Sequence, residues 1–370
     1  MTGHDRGGGV TRMRMPAEWA RHEACLMAWP TRVELWGKAF AEAKAEYAAV
    51  ARAIARFEPV LMVARPGQGD EARQALAVHE EAVGQPDITV IELPIDDSWL
   101  RDSGPIFVQD PDGQDPDGQG RAGVDFRFNS WGEKYLPYDK DNTVSELLLS
   151  HLGIARIPSE MILEGGAISV DGEGTLITTE QCLLHPNRNP GLTKDQIEAE
   201  LKARLGVTKV IWLPYGGADD RDTDGHVDGV CVFIGPGRVL VQACDDPESA
   251  DFELMAANIS VLRKATDAQG RELEIIQVPQ VAWATVAGEL TSVGYVNFYL
   301  ANGGVVVPIA GVPDVDEQAL AIIRTAMPDR EVVGVVAKVI AYGGGGVHCI
   351  TQQVPARITQ QVPARTGAAR

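Results

Sequence analysis

Five segments of helical composition, centred near residues 45, 147, 200, 257 and 320, punctuate a chain otherwise made of short β-rich runs. Helices need an apolar residue every three to four positions and buried strands need short continuous apolar runs, so a chain that alternates the two must layer helices against sheets. The expected strands lie at 24–29, 60–64, 88–93, 167–170, 175–179, 210–213, 230–234, 239–241 and 303–309, with helices over 37–57 and 70–83 in the first part. Three later helices are announced by pairs at capping-box spacing, Thr143 with Glu146, Thr193 with Gln196 and Asp314 with Glu317. Gly153, Gly206 and Pro328 mark their ends. These later helices fall roughly 55 to 60 residues apart, which suggests a repeated strand-strand-helix-strand module, although a doubly wound sheet also fits. No change of composition marks a linker, so residues 13–357 are expected to form one α/β domain.

Charge and cysteine usage narrow the function classes. The 52 acidic and 33 basic residues leave a net charge of −19, which repels nucleic acid and anionic lipid and permits a cationic small molecule. Five cysteines with no CxxC pair argue against a disulfide scaffold or structural zinc and fit a reducing cytoplasm. Residues 1–12 are polar and glycine-rich, expected to be a flexible leader without a signal peptide's apolar core, and no run reaches the roughly 18 apolar residues of a membrane span. The repeated PDGQ within 110–120 reads as an exposed loop. The octapeptide ITQQVPAR occurs in tandem at 350–357 and 358–365. Only the first copy directly follows Cys349, so 358–370 reads as a poorly ordered tail that activity does not need.

Four glycines, 343–346, stand just before His348 and Cys349. Glycine removes Cβ and lets a substrate approach the backbone carrying a thiol, so Cys349 is a candidate nucleophile; the plainer reading is a flexible loop beside a small buried hydrophobe. A second constellation crowds Asp219, Asp220, Asp222, Asp224 and Asp228 around His226. So many carboxylates need something positive to share the site. Calcium fails as that partner: the twelfth position of an EF-hand frame falls on Cys231 and a β-rich run follows. An organic cation remains. Asp102, in a turn beside Trp99, and Glu164, at the end of an apolar run, are further candidates, with a salt bridge to Arg101 and a solvated turn as the plain alternatives. Thiol, imidazole and paired carboxylates together suit attack on a guanidinium, whose delocalised carbon must be held flat beside a strong nucleophile. His348 is a rival base, but neighbours in extended chain point opposite ways. Cys25, Cys182, Cys231 and Cys244 sit in apolar runs and read as core.

The strings MPAEW (15–19), WLRDSGP (99–105), FNSWG (128–132), EGG (164–166), DTDGHVD (222–228), NFYLANGG (297–304) and GGVHCITQQ (345–353) occur in that order. Together they resemble the agmatine deiminases of the guanidine-modifying pentein superfamily, over nearly the whole of 15–357. The resemblance implies a five-bladed, pseudo-symmetric α/β propeller (pentein) of strand-strand-helix-strand modules. It also implies hydrolysis of agmatine to N-carbamoylputrescine and ammonia in arginine-derived putrescine metabolism, with no metal or cofactor. Position by position it casts Cys349 as nucleophile, His226 as general acid and base, Asp102 and Asp228 as the guanidinium clamp, Glu164 as partner of both His226 and the guanidinium, and Asp222 in substrate binding. Trp99 is our own assignment as an aromatic wall. Gly346 departs from the asparagine that many members carry, which would loosen the loop. A cytoplasmic homo-oligomer, dimer or tetramer, is expected. The alternatives are deimination of free or peptidyl arginine, amidino transfer, or a propeller that only binds.

Overall fold

The computed structural model describes residues 13–77, 87–110, 120–279 and 281–358. The expected leader at 1–12, the PDGQ repeats at 111–119, the far end of the 70–83 helix and the tail from 359 lie outside those residues. The fold is mixed α/β, with one connectivity used five times. In the second sheet, Ile106–Gln109 runs antiparallel to Arg121–Arg127, the helix Asp141–Leu152 crosses over, and Ala155–Ile162 returns parallel. The third repeats this with Ser169–Val170, Thr175–Thr179, helix Lys194–Leu205 and Lys209–Leu213. The fourth uses Cys231–Gly235, Arg238–Gln242, helix Asp251–Leu262 and Glu274–Val278, and the fifth Tyr299–Ala301, Gly304–Ile309, helix Pro313–Ala326 and Glu331–Val336.

The first sheet has the same pattern but borrows its antiparallel strand from the far end of the chain. Thr351–Pro355 pairs with His22–Ala28, Met27 opposite Thr351, before helix Phe40–Ile54 leads to the parallel strand Val60–Ala64 and on to Ile88–Glu92. Cys349 is therefore delivered by a segment locked two residues later into that sheet. The hairpin Ala282–Val286 with Glu289–Val293 stands outside the pattern. The middle strand of the fifth sheet, Gly304–Ile309, lies between two neighbours and is buried on both faces, which is why it reads as a continuous apolar run: Val305, Val306 and Val307 are all fully buried. No helix among the described residues is long and apolar enough to cross a membrane.

Helix ends follow the sequence in part. Gly153 and Gly206 take the left-handed conformation at φ 62° and 65°, and Thr193 with Gln196 forms a full capping box. The other two boxes are displaced. The helix carrying Thr143 begins earlier, at Asp141, and Thr143 Oγ1 donates to Lys140 O at 2.9 Å instead. Pro313 opens the helix of the fifth sheet because its fixed φ suits the first turn, which makes Val312 the cap and leaves Asp314 exposed. Asp316 caps in its place: its carboxylate accepts from Val312 N at 2.6 Å, Ala310 N at 3.0 Å and the Tyr295 hydroxyl at 2.9 Å. The strand expected at 167–170 shrinks to Ser169–Val170, because Gly165–Ala167 winds into a 3₁₀ turn.

Chemical denaturation separates the two carboxylates. Asp316→Ala, which strands three donors, two of them buried, is expected to cost about 2–4 kcal/mol, and Asp314→Ala to stay within about 0.5 kcal/mol. The reverse ranking would contradict this account of the helix start.

Candidate active site

Gly166, in the 3₁₀ turn just described, lies where three polar side chains meet. A Cβ added there would sit 2.6 Å from His226 Nδ1 and 2.9 Å from both Asp102 Oδ1 and Asp228 Oδ2. Four of the candidate residues are thus gathered by local structure at one point, the fourth being Cys349, whose Sγ is 3.5 Å from Asp228 Oδ2 and 3.4 Å from Asn297 Oδ1. Glu164 immediately precedes the turn, and its Oε2 is 3.9 Å from His226 Nε2. Asp102 rides on the one-turn helix Leu100–Ser103, tied to the thiol segment by Arg101 N donating to Cys349 O at 3.2 Å.

Each acid is held by a separate donor. The carboxylate of Asp102 accepts from Gly166 N at 3.0 Å and Trp131 Nε1 at 2.9 Å. Trp131 sits in a run of left-handed backbone, Ser130 to Glu133, that carries its indole inward. Glu164 receives Arg188 Nε at 2.6 Å, both side chains fully buried. Asp228 is bonded to His348 Nδ1 at 2.8 Å, and His348 Nε2 in turn meets Glu18 at 2.9 Å. Both ring nitrogens of His348 are thus taken by carboxylates, so it braces Asp228 and has no free nitrogen for a general base.

The acidic run 219–228 needs no metal to hold it. Asp220 accepts from the backbone amides of Thr223, Gly225 and His226. Asp224 pairs with Arg188 Nη1 and Lys134 Nζ, both at 2.7 Å. Asp222 accepts from the Tyr135 hydroxyl. Asp219, Asp220 and Asp222 line a chamber of about 190 Å³ together with His226, Asp228 and Cys349. A narrower slot, lined by Trp99, Asp102, Trp131, Tyr135 and Asp222, also reaches Cys349. Trp99 is stacked on Trp36 at 5.8 Å and lines this slot.

The glycine run acts on the walls as well as on a substrate. A Cβ at Gly343 would meet Trp36 at 2.3 Å, at Gly344 the Asp222 carboxylate at 2.6 Å, at Gly345 the Trp99 ring at 2.5 Å and at Gly346 Asn297 Oδ1 at 2.3 Å. Gly346, read in sequence as loosening the loop, is instead tightly packed.

Burial sets the protonation states. It pushes the Cys349 thiol up, and the Asp228 and Asp102 charges push it further, well above the ordinary thiol value. Burial alone would lower the His226 pKa, but the Asp102 carboxylate, with Cys182 and Glu164, overrides it and holds the imidazolium well above its usual range. Burial raises Asp102 to about 6 despite the nearby His226. Asp228 and Glu164 stay below the ordinary carboxylate range because His348 and Arg188 respectively outweigh burial.

Sequence reasoning missed the supports: Glu18, Trp131, Asn297 and His348 lie inside quoted strings without a role, and Arg188 lies in none. Cys182 was placed in the core, and it is fully buried, but beside His226 and Glu164.

The Porphyromonas-type peptidyl-arginine deiminase family model matches residues 14–355. The chain is 43% identical to the agmatine deiminase of Stutzerimonas stutzeri over 92% of this chain and 95% of that one, and 41% identical to that of Medicago truncatula over 92% and 96%. The solved structure of the Enterococcus faecalis agmatine deiminase superposes with a TM-score of 0.86 at 34% identity, covering 95% of this chain and 99% of that one. Sharing that identity, length and architecture, the chain is a member of the agmatine deiminase family.

Proposed function

We propose that this chain hydrolyses agmatine to N-carbamoylputrescine and ammonia through a covalent amidino-cysteine on Cys349. The observation that carries the reading is the convergence of a thiol, an imidazole and two carboxylates about Gly166. Asp102 and Asp228 grip the planar N–H fork of the guanidinium, with Trp99 and Trp131 along the aliphatic chain and Asp222 toward the distal ammonium. In the free enzyme Cys349 is a thiol; the bound cation adds the positive charge that the buried acids lack and drives the proton off to solvent. The thiolate adds to the guanidinium carbon. His226, protonated, gives its proton to the departing nitrogen, which leaves as ammonia, and Glu164 steadies the imidazole. Neutral His226 then takes a proton from water as it attacks the adduct, the C–S bond breaks, and the urea product leaves.

Deimination of arginine is the second reading, favoured by the name of the matching family model. Arginine would bring a carboxylate, and two cations bonded to residues of the slot, Arg32 to Asp97 and Lys134 to the Asp222 carbonyl, are already engaged, Lys134 also by Asp224. We further take residues 13–357 as a single catalytic domain in which the five like sheets close as blades around the site. Pairing of the first and last strands supports that closure. A cytoplasmic homo-oligomer, dimer or tetramer, acting in putrescine metabolism completes the proposal; five buried cysteines with no CxxC pair fit a reducing compartment.

Two measurements test the chemistry. Agmatine turnover with the product identified should exceed arginine turnover, with activity abolished in Cys349→Ser and kcat lower by about 10²–10⁴ in His226→Ala; arginine as the better substrate would overturn the assignment. Alkylation of Cys349 by iodoacetamide in the free enzyme should climb about tenfold per pH unit through pH 9, because the raised pKa keeps thiolate scarce below it. A plateau already at pH 7 would mean that His226, and not the substrate, ionises the thiol.

A further inference from the structure

Behind the His226 imidazole lies a thiol that the proposed reaction leaves unused. Cys182 sits on the short helix Glu180–Leu183, fixed by its own N–H, which donates to Thr179 Oγ1 at 3.2 Å. Its Sγ, a carboxylate oxygen of Glu164 and a ring nitrogen of His226 all lie within 4.8 Å of one another. Two of those groups have bonding capacity to spare: Glu164 Oε2 and both nitrogens of His226 are buried without a hydrogen-bond partner, whereas Glu164 Oε1 is taken by Arg188. A soft sulfur, an imidazole nitrogen and a carboxylate oxygen form the donor set of a borderline cation such as zinc. Bonds of about 2.0–2.3 Å to a shared ion ask these atoms to close by about an ångström. His226 also lines the chamber, which gives an ion a path to the imidazole.

We propose that Glu164, Cys182 and His226 form an inhibitory site for a thiophilic divalent cation of the zinc class. On ligation the Cys182 S–H bond and one N–H bond of the His226 imidazolium break, both protons leave to solvent, and metal–sulfur and metal–nitrogen bonds form, with no change of oxidation state. The ion occupies the imidazole nitrogen needed for proton transfer and sets two positive charges beside the place of the guanidinium. The inhibition rests on the function proposed above; the binding does not.

Cobalt(II) titration of the full chain, with a non-thiol reductant, reads the ligands directly. One ion per chain is expected, with a thiolate-to-cobalt charge-transfer band that persists in Cys349→Ser and disappears in Cys182→Ser, where zinc affinity also falls about tenfold or more. The half-inhibiting zinc concentration for agmatine hydrolysis should rise in parallel. A band lost in Cys349→Ser and kept in Cys182→Ser, or no thiolate band in the wild type, overturns the site. Should Cys182→Ser fail to fold, anomalous diffraction from zinc-soaked wild-type crystals decides the same question by whether the ion lies at bonding distance from Cys182 Sγ. Thiolate-bound cobalt in a chain that does not turn over agmatine would uphold the site and refute the function.

Discussion

Three carboxylates buried around one histidine are the constraint on which the structure turns. Asp102, Glu164 and Asp228 are each no more than 4% exposed, and an ion taken out of water without a partner costs several kcal/mol. Each is therefore matched by a donor from a different part of the chain: Trp131 to Asp102, Arg188 to Glu164, His348 to Asp228. The supports are themselves anchored, Arg188 by Asp224 and His348 by Glu18. What this shell does not neutralise is what a substrate cation would meet, and the high pKa of Cys349 is its counterpart, since a thiolate is disfavoured until positive charge arrives.

The modular architecture exists to bring these residues together. Each of the second to fifth sheets ends in a segment that feeds the site, and the first is completed by the strand that follows Cys349. The glycine run then lets the thiol segment lie directly on Trp36, Trp99, Asp222 and Asn297, so that side-chain volume is traded for wall contact. Position 346 shows the trade at its tightest, against a carbonyl oxygen that also contacts Cys349.

The repeating units were legible in the sequence because they rest on local signals. The runs at 60–64 and 175–179 appear as strands with the expected bounds, and the glycines at 153 and 206 end their helices as read. Caps were harder. Asp314 and Asp316 both sit near the helix start, and what chooses between them is Tyr295 and the preceding turn, which spacing cannot reveal. The site was legible where the residues are strange in their local setting, as Cys349 and His226 are. Arg188 and Cys182 look ordinary in a helix-flanking stretch and gain meaning only from Glu164 and His226, which are brought to them by the fold.

The central claim, that sulfur at 349 and imidazole at 226 act on one guanidinium carbon, is tested most directly by peptide mass spectrometry of acid-quenched enzyme during agmatine turnover. A substrate-derived amidine mass on the Cys349 peptide, absent in Cys349→Ser, is the expected result. Modification of any other residue, or full turnover with Cys349 never modified, would contradict it.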